Sequence, residues 1–409
     1  MFEFAFPKIS GVSGVSGVSG FRDRFNAAKL ALLSFAVMLV LGGMFAAPAR
    51  AALTMEFPGD IKLVFEEGNF DTETYNGALR KVSLFERGEL LLTADTLDIV
   101  SDGAPSDDKF YLRKLDMTNV VLNADKASID SLALRNIDFG GLQSLAKPYD
   151  FADALRDDSS IVVEGFTGRG KYGIFRIDLI ETLPLTHNTL PNGSRYASAG
   201  GFQAVGMRYH SKRKGGNSPE TRALSKMSGL VVDLVMSQKS DLVLGALQSQ
   251  YSLEMVVRDH GHLTLNSDIN LQLDTYDKMV ALGNQGAENA GEALNLLGEI
   301  ELVKIGIDYS DDGLIDLTMD LIAAIEGTSP AAAKQAKLDA MVQRVEKIFP
   351  RTGATITEPL TGLIADGGGL RVRVEPNAPL PISSLLGLMI IPDLAFDRLN
   401  LKMVHLKGS

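Results

Sequence analysis

From His262 to Leu273 the sequence HLTLNSDINLQL sets a polar residue at every even position and, Ser267 apart, an apolar one at every odd position. Side chains alternate sides along a strand, whereas a helix returns to one face every 3.6 residues, so this period of two specifies a strand with one apolar side. At ~3.3 Å per residue such a strand reaches roughly 40 Å, about twice the usual length. Tyr251, Leu253, Met255 and Val257 alternate in the same way just before it, and Asp259-His260-Gly261 supplies the turn. The expected element is a long antiparallel hairpin.

The pattern returns downstream. Ile305, Ile307 and Tyr309 lead into Asp311-Asp312-Gly313, and Ile315, Leu317, Met319 and Leu321 then alternate with Asp316, Thr318 and Asp320. Each of the two expected hairpins precedes a helical stretch, YDKMVALGNQGAENAGEALNLL and SPAAAKQAKLDAMVQRVEKIF. In the second stretch Leu338, Met341, Val342, Val345, Ile348 and Phe349 form one stripe, Ser329-Pro330 starts the helix and Pro350 stops it. Two tandem hairpin–helix units are expected, then strands at Leu370/Val372/Val374 and Leu399/Leu401/Met403. The fold class is α+β, mainly β, with long antiparallel strands.

In the first half, LTADTLDI at Leu92–Ile99 recurs as LNADKASI at Leu122–Ile129, and LDMTNV at Leu115–Val120 recurs as LALRNI at Leu132–Ile137. These read as successive strands with similar apolar faces, followed by a hairpin through Ile161/Val163 and Phe175/Ile177/Leu179. Residues 186–228 lose this periodicity and fill with Asn, Gly, Ser and basic residues, so they read as a polar linker or mobile loop between domains at 52–185 and 229–409. Residues 1–51 read as an export signal. Basic residues end at Lys29, an uncharged apolar run follows, and Ala49-Arg50-Ala51 offers the small residues of a cleavage site. An uncleaved inner-membrane anchor is the alternative, because the run approaches bilayer-spanning length. Export places the remainder in the periplasm, with at most peripheral membrane association after cleavage.

The strand run LTADTLDI…LDMTNVVLNADKASIDSLALRNIDFG resembles the AsmA-type β repeats of bacterial envelope proteins. The later segments GLIDLTMDLI and GGGLRVRVEPNAPLP are similar to uncharacterised proteobacterial periplasmic families. The resemblance covers about 88–140 and 251–375. It implies an extended curved sheet with an apolar concave face and a role in lipid handling or envelope homeostasis. It transfers no catalytic residues.

Composition narrows the function classes. The net charge of the whole chain is −11, and the first 51 residues carry five cations against two acids, so without them the net charge becomes −14. Such a surface repels polyanions, which disfavours nucleic acid as a partner. The absence of cysteine removes disulfides, thiolate metal sites and a cysteine nucleophile, and the absence of tryptophan disfavours aromatic stacking platforms.

Candidate chemical motifs resolve into structural ones. Gly168-Arg169-Gly170-Lys171-Tyr172-Gly173 fits G-x-G-x-x-G, but the strand pattern IFRIDLI follows where a dinucleotide site needs a helix, so a hairpin turn is expected. Asp138-Phe139-Gly140 precedes that loop instead of following it, and no H-R-D segment exists, which excludes a kinase. Asp308, Ser310, Asp312, Gly313 and Asp316 imitate a calcium loop that has Met319 where the bidentate acid belongs, and a hairpin tip is the better reading. His260 and His262 flank a turn with no second ligand cluster. Lys212-Arg213-Lys214 is a basic spot within the expected linker. Ile382–Ile391, between two prolines, is too short to span a bilayer and is expected to lie under the sheet or to plug a groove.

No catalytic residue, metal site or cofactor is assigned. The expected function is a non-enzymatic envelope protein that binds lipid or another apolar ligand, with a hydrolase using acidic residues, or a structural partner of another envelope protein, as alternatives. The ligand-binding residues expected are Leu263, Leu265, Ile269, Leu271 and Leu273 on the long strand, with Ile315, Leu317 and Met319 on its counterpart. Helix 331–349 is expected to seal this face near Leu271 and to leave a groove near Leu263.

Overall fold

The computed structural model describes residues 53–57, 61–71, 73–103, 110–122, 126–139, 155–170, 173–193, 195–211, 225, 227–283, 290–388 and 390–408. The segments 1–51 and Lys212-Arg213-Lys214 lie outside the described residues.

Among the described residues, seventeen strands join one antiparallel sheet. β1 (Leu53–Phe57) pairs with β2 (Ile61–Phe65), and β2 and β3 (Glu67–Asp71) share one edge of β4 (Asn76–Glu86). From β4 each strand pairs with the next: β5 (Glu89–Ser101), β6 (Tyr111–Leu122), β7 (Ala127–Asp138), β8 (Leu155–Arg169), β9 (Gly173–Thr189), β10 (Arg195–Ser211), β11 (Val231–Val243), β12 (Ala246–Val257), β13 (Gly261–Gln272) and β14 (Glu301–Asp311). β15 (Gly368–Val374) and the two-residue β16 (Leu380–Pro381) share the far edge of β14, and β17 (Lys402–Leu406) ends the order on β15. The sheet is a meander and does not close. The mainly β expectation with long antiparallel strands is met, since β9 and β10 each run 17 residues.

Seven helices fill the later connections: α1 (Leu273–Gly283) and α2 (Ala290–Glu299) before β14, α3 (Leu314–Glu326), α4 (Pro330–Ile348) and α5 (Gly353–Asp366) before β15, and α6 (Ile382–Leu388) and α7 (Pro392–Arg398) before β17. α4 packs on both α3 and α5, and α5 reaches β15 and β17. At α4 the Ser329 hydroxyl accepts from Ala332 N at 3.2 Å with Pro330 in the first turn, as the sequence indicates.

Three expectations are corrected. Ile315, Leu317, Met319 and Leu321 are not a strand: they lie in α3, so the second unit is a strand followed by helices. Asp311 decides this, because its carboxylate accepts from Ile315 N at 2.9 Å and from Gly313 N at 3.3 Å, capping a helix at the place that reads as a hairpin turn. The alternation also ends at Leu321-Ile322-Ala323-Ala324-Ile325, which no two-faced strand would carry. Secondly, the stretch 186–228 holds the end of β9 and all of β10, so pairing continues across the expected linker. Gly200 and Gly201 obscured this strand; a Cβ on Gly201 would stand 2.0 Å from the Met236 carbonyl oxygen, so the close approach of β11 excludes a side chain there. Thirdly, α4 packs against α3 and α5 and does not seal β13.

One apolar row continues across the sheet. A single cross-strand row runs Leu79, Leu97, Met117, Leu132, Val163, Ile180, Ala204, Leu234, Met255, Leu263, Tyr309 and Leu370 from β4 to β15. In β4–β10 the apolar positions slip by one within each strand: Leu79 then Val82, Ala94 then Leu97, Met117 then Val120, Ile129 then Leu132, Val163 then Phe166, Ile177 then Ile180, Ala204 then Met207. At the slip, alternate strands carry a residue of positive φ (Lys81, Asn119, Gly165 and Gly206), and the strands between carry Asp95, Asp130 and Asp178. Asp95 accepts from Lys81 Nζ at 2.6 Å and Asn119 Nδ2 at 2.7 Å. The Asp130 and Asp178 carboxylates occupy the space that a Cβ on Gly165 or Gly206 would need. The line ends in a bulge between Ala204 and Met207 opposite β11, where Asp233 accepts from Gly206 N at 2.7 Å.

Candidate functional site

The apolar side is closed in one half of the molecule and open in the other. Over β4–β8, Leu97, Leu115 and Ile137 have no exposed surface, and they belong to one core that runs from Leu63 to Val163. Every described side chain in that core comes from β2–β9 or from the loops between them, so the strands curl their apolar side inward. An aromatic chain, Phe70–Tyr75–Phe110–Phe139, packs at one end with centroid spacings of 5.5, 6.4 and 5.7 Å. Burial raises the pKa of the Tyr75 hydroxyl.

Over β10–β13 the same side forms a half-exposed trough. Phe202 pairs with Met236, Met236 with Leu253, and Leu253 with Leu265. Phe202 is 38% exposed and Met236 42%, while Leu234, Leu253, Met255, Leu263 and Leu265 are partly buried. β11–β12 and β12–β13 pair without any register shift, and the slip, which ends in β10, is absent from β11–β13. At the far edge α5 lies on the apolar side of β17, with Gly362 against the His405 ring, whose Nε2 is 2.7 Å from Gly367 O. The trough therefore runs between a dry core and a helical layer.

The residues expected from sequence divide. Leu263 and Leu265 face the trough. Ile269 and Leu271 share that side, but Leu271 and Leu273 pack with Leu190, Tyr196, Leu247 and Tyr276 in a small separate core, and Leu273 begins α1. Ile315, Leu317 and Met319 are in α3, not on a partner strand. Phe202, Leu234 and Met236 were missed; β10 was read as linker, and β11 shows its alternation only across Val232, Leu234 and Met236.

The opposite side is polar and ion-paired. Arg258 hydrogen-bonds Asp233 at 2.7 Å and holds its carboxyl below the usual range, with Gly206 N adding to the effect. Asp308 meets Arg371 at 2.7 Å and Arg373 at 2.6 Å; burial raises its pKa, and the two guanidinium groups outweigh that and lower it. On the apolar side Tyr309, in the row with Leu263 and Leu370, donates to Asp311 at 2.7 Å, and its pKa is pushed up by burial and then by that carboxylate. Among the described residues no group of three or more His, Asp or Glu side chains is placed to hold a metal, and no helix is long and apolar enough to cross a membrane. His262 meets Glu254 at 3.0 Å, away from any third ligand.

A family model described as "Uncharacterized protein" matches residues 254–405, which begins in β12 and ends in β17. No curated protein matches the chain.

Proposed function

We propose that this chain is an exported envelope protein that holds the apolar part of a lipid in the trough over β10–β13. The observation that carries the reading is the change of burial along one continuous apolar side: side chains of the same kind are sealed in β4–β8 and half-exposed at Phe202, Met236 and their neighbours. A contiguous exposed apolar surface of this kind marks a binding site more often than a plain surface. From β10 to β13 the trough crosses three interstrand steps, about 14 Å at ~4.8 Å each, a span suited to an acyl chain. Burial of an acyl chain there would contribute ~0.8 kcal/mol per methylene. The leading segment 1–51 and the resemblance to AsmA-type repeats point to the same compartment and ligand class.

The test is mass spectrometry of an organic extract of the natively purified protein. Co-purified acyl chains that disappear in Phe202→Glu and Met236→Glu, both still folded by circular dichroism, are expected. A clean extract from the unaltered protein, together with a stable co-purifying protein chain, would instead make the trough a protein interface.

A further inference from the structure

The polar side of the sheet carries a cleft of about 380 Å³ across β11–β15, directly behind the trough. Its floor follows from one cross-strand row, in which Ser237 pairs with Ser252, Ser252 with Asn266, and Asn266 with Gly306. Three short side chains and a glycine in register leave a depression between longer neighbours. One wall is the next row, Lys239, Gln250, Asp268 and Lys304, paired in that order. At the end of the floor Arg373 folds over Gly306, where a Cβ would stand 3.3 Å from its Nη1.

The cations differ in what they have left to offer. Arg373 is committed, with bonds to Asp308 at 2.6 Å and to the Ile307 and Val372 carbonyls at 3.2 and 2.9 Å. Lys239 and Lys304 are only loosely held, Lys239 by Asp241 at 3.9 Å and Lys304 by Glu375 at 3.6 Å, and all four groups are well exposed. Exposed ion pairs at such distances contribute little, so both ammonium groups are available to a ligand. They stand at the two ends of one row, three interstrand steps or roughly 14 Å apart. Between them lie an amide, a carboxylate and, on the floor, two hydroxyls and a second amide. That is a set suited to sugar hydroxyls, with a cation at each end to meet acidic groups locally.

We infer that this cleft binds a short acidic oligosaccharide, with Lys239 and Lys304 meeting its acidic groups and Gln250, Asp268 and Asn266 meeting its hydroxyls. The site is separate from the trough and does not depend on the lipid reading.

Isothermal titration of the full chain with tetragalacturonate, maltotetraose and inorganic phosphate tests it. Tetragalacturonate should bind, maltotetraose should bind at least tenfold more weakly, and Lys239→Gln and Lys304→Gln should each weaken tetragalacturonate about tenfold, the effect of losing one hydrogen bond to a charged group. Ser252→Leu, which fills the floor from a half-buried position on the polar side, should abolish binding while leaving any co-purified lipid unchanged. Failure of tetragalacturonate to bind the unaltered protein, indifference to both lysine changes, or equal binding of phosphate alone would overturn the inference.

Discussion

The strands of β4–β8 and those of β10–β13 have a similar one-sided pattern but different fates. In the first group the apolar side is buried so completely that Leu97 and Leu115 show no surface; in the second Phe202 and Met236 keep about two-fifths of theirs. The two groups differ in composition, since the open side also carries Gln238, Ser240, Ser249 and Ser267 where the closed core is wholly apolar. They differ too in the phase slip. Each strand from β4 to β10 takes an extra residue at the same level of the sheet, and an aligned set of such kinks adds right-handed twist and curls the strands over their own apolar side. From β11 to β13 the alternation is uninterrupted, β14 takes one bulge opposite Asp268 and Ile269, and the sheet stays open until α5 covers its edge.

The largest contrast should come from charge. Leu97→Glu or Leu115→Glu places an unpaired carboxylate in a dry core at a cost of several kcal/mol, comparable to a whole domain's stability. Circular dichroism should find these variants unfolded and Met236→Glu folded. Unfolding by all three would mean that both halves are sealed. Truncation should give a smaller contrast: about 2–5 kcal/mol for Leu115→Ala against ~1 kcal/mol for Leu253→Ala, measured by urea titration. Equal losses would remove the distinction.

The kink itself is tested by backbone chemistry. Gly206→Val forces a branched side chain into positive φ against Asp178 and should cost about 2 kcal/mol or more, whereas Asn119→Gly should lie within ~0.5 kcal/mol of the unaltered protein. A harmless Gly206→Val would detach the kink from the curl. The smallest effect expected is on pH. Asp233 and Asp308 have lowered pKa values in the folded chain, so the stability they lend is present above their unfolded value near ~3.9 and is lost as the pH falls through the folded values. Melting temperature should therefore hold from about pH 5 to 8 and fall below about pH 4, with a shallower acid limb in Asp233→Asn.

Much of the open half was legible in the sequence because its period of two is unbroken; the pairing of Leu253 with Leu265 and Met255 with Leu263 follows from the alternation and the Asp259-His260-Gly261 turn. The kink was visible only in fragments. Asn119 and Asn136, which both adopt positive φ, are the repeated asparagines of LDMTNV and LALRNI, but a recurring Asn does not announce a shift of face unless the apolar spacing around it is also counted. Two errors have local causes. Alternation at Ile315–Leu321 is too short a run to decide by itself, and the apolar run to Ile325 and the contacts of Asp311 choose the helix. β10 carries Gly200, Gly201 and Gly206 for close backbone approach and a kink, the same residues that signal a loop. The trough depends on strands brought together by pairing over long sequence distances, so Phe202, Met236 and Leu265 could not be joined before the register was known.

Photocrosslinking from the two sides of one strand set tests the trough most directly. A photoreactive side chain placed at Met236, on the apolar side, should capture an acyl chain from co-purified lipid, and the same group placed at Asn266, on the polar side, should not. Acyl adducts at position 236 alone are the expected result; adducts at neither position, or equally at both, would contradict a lipid-holding trough.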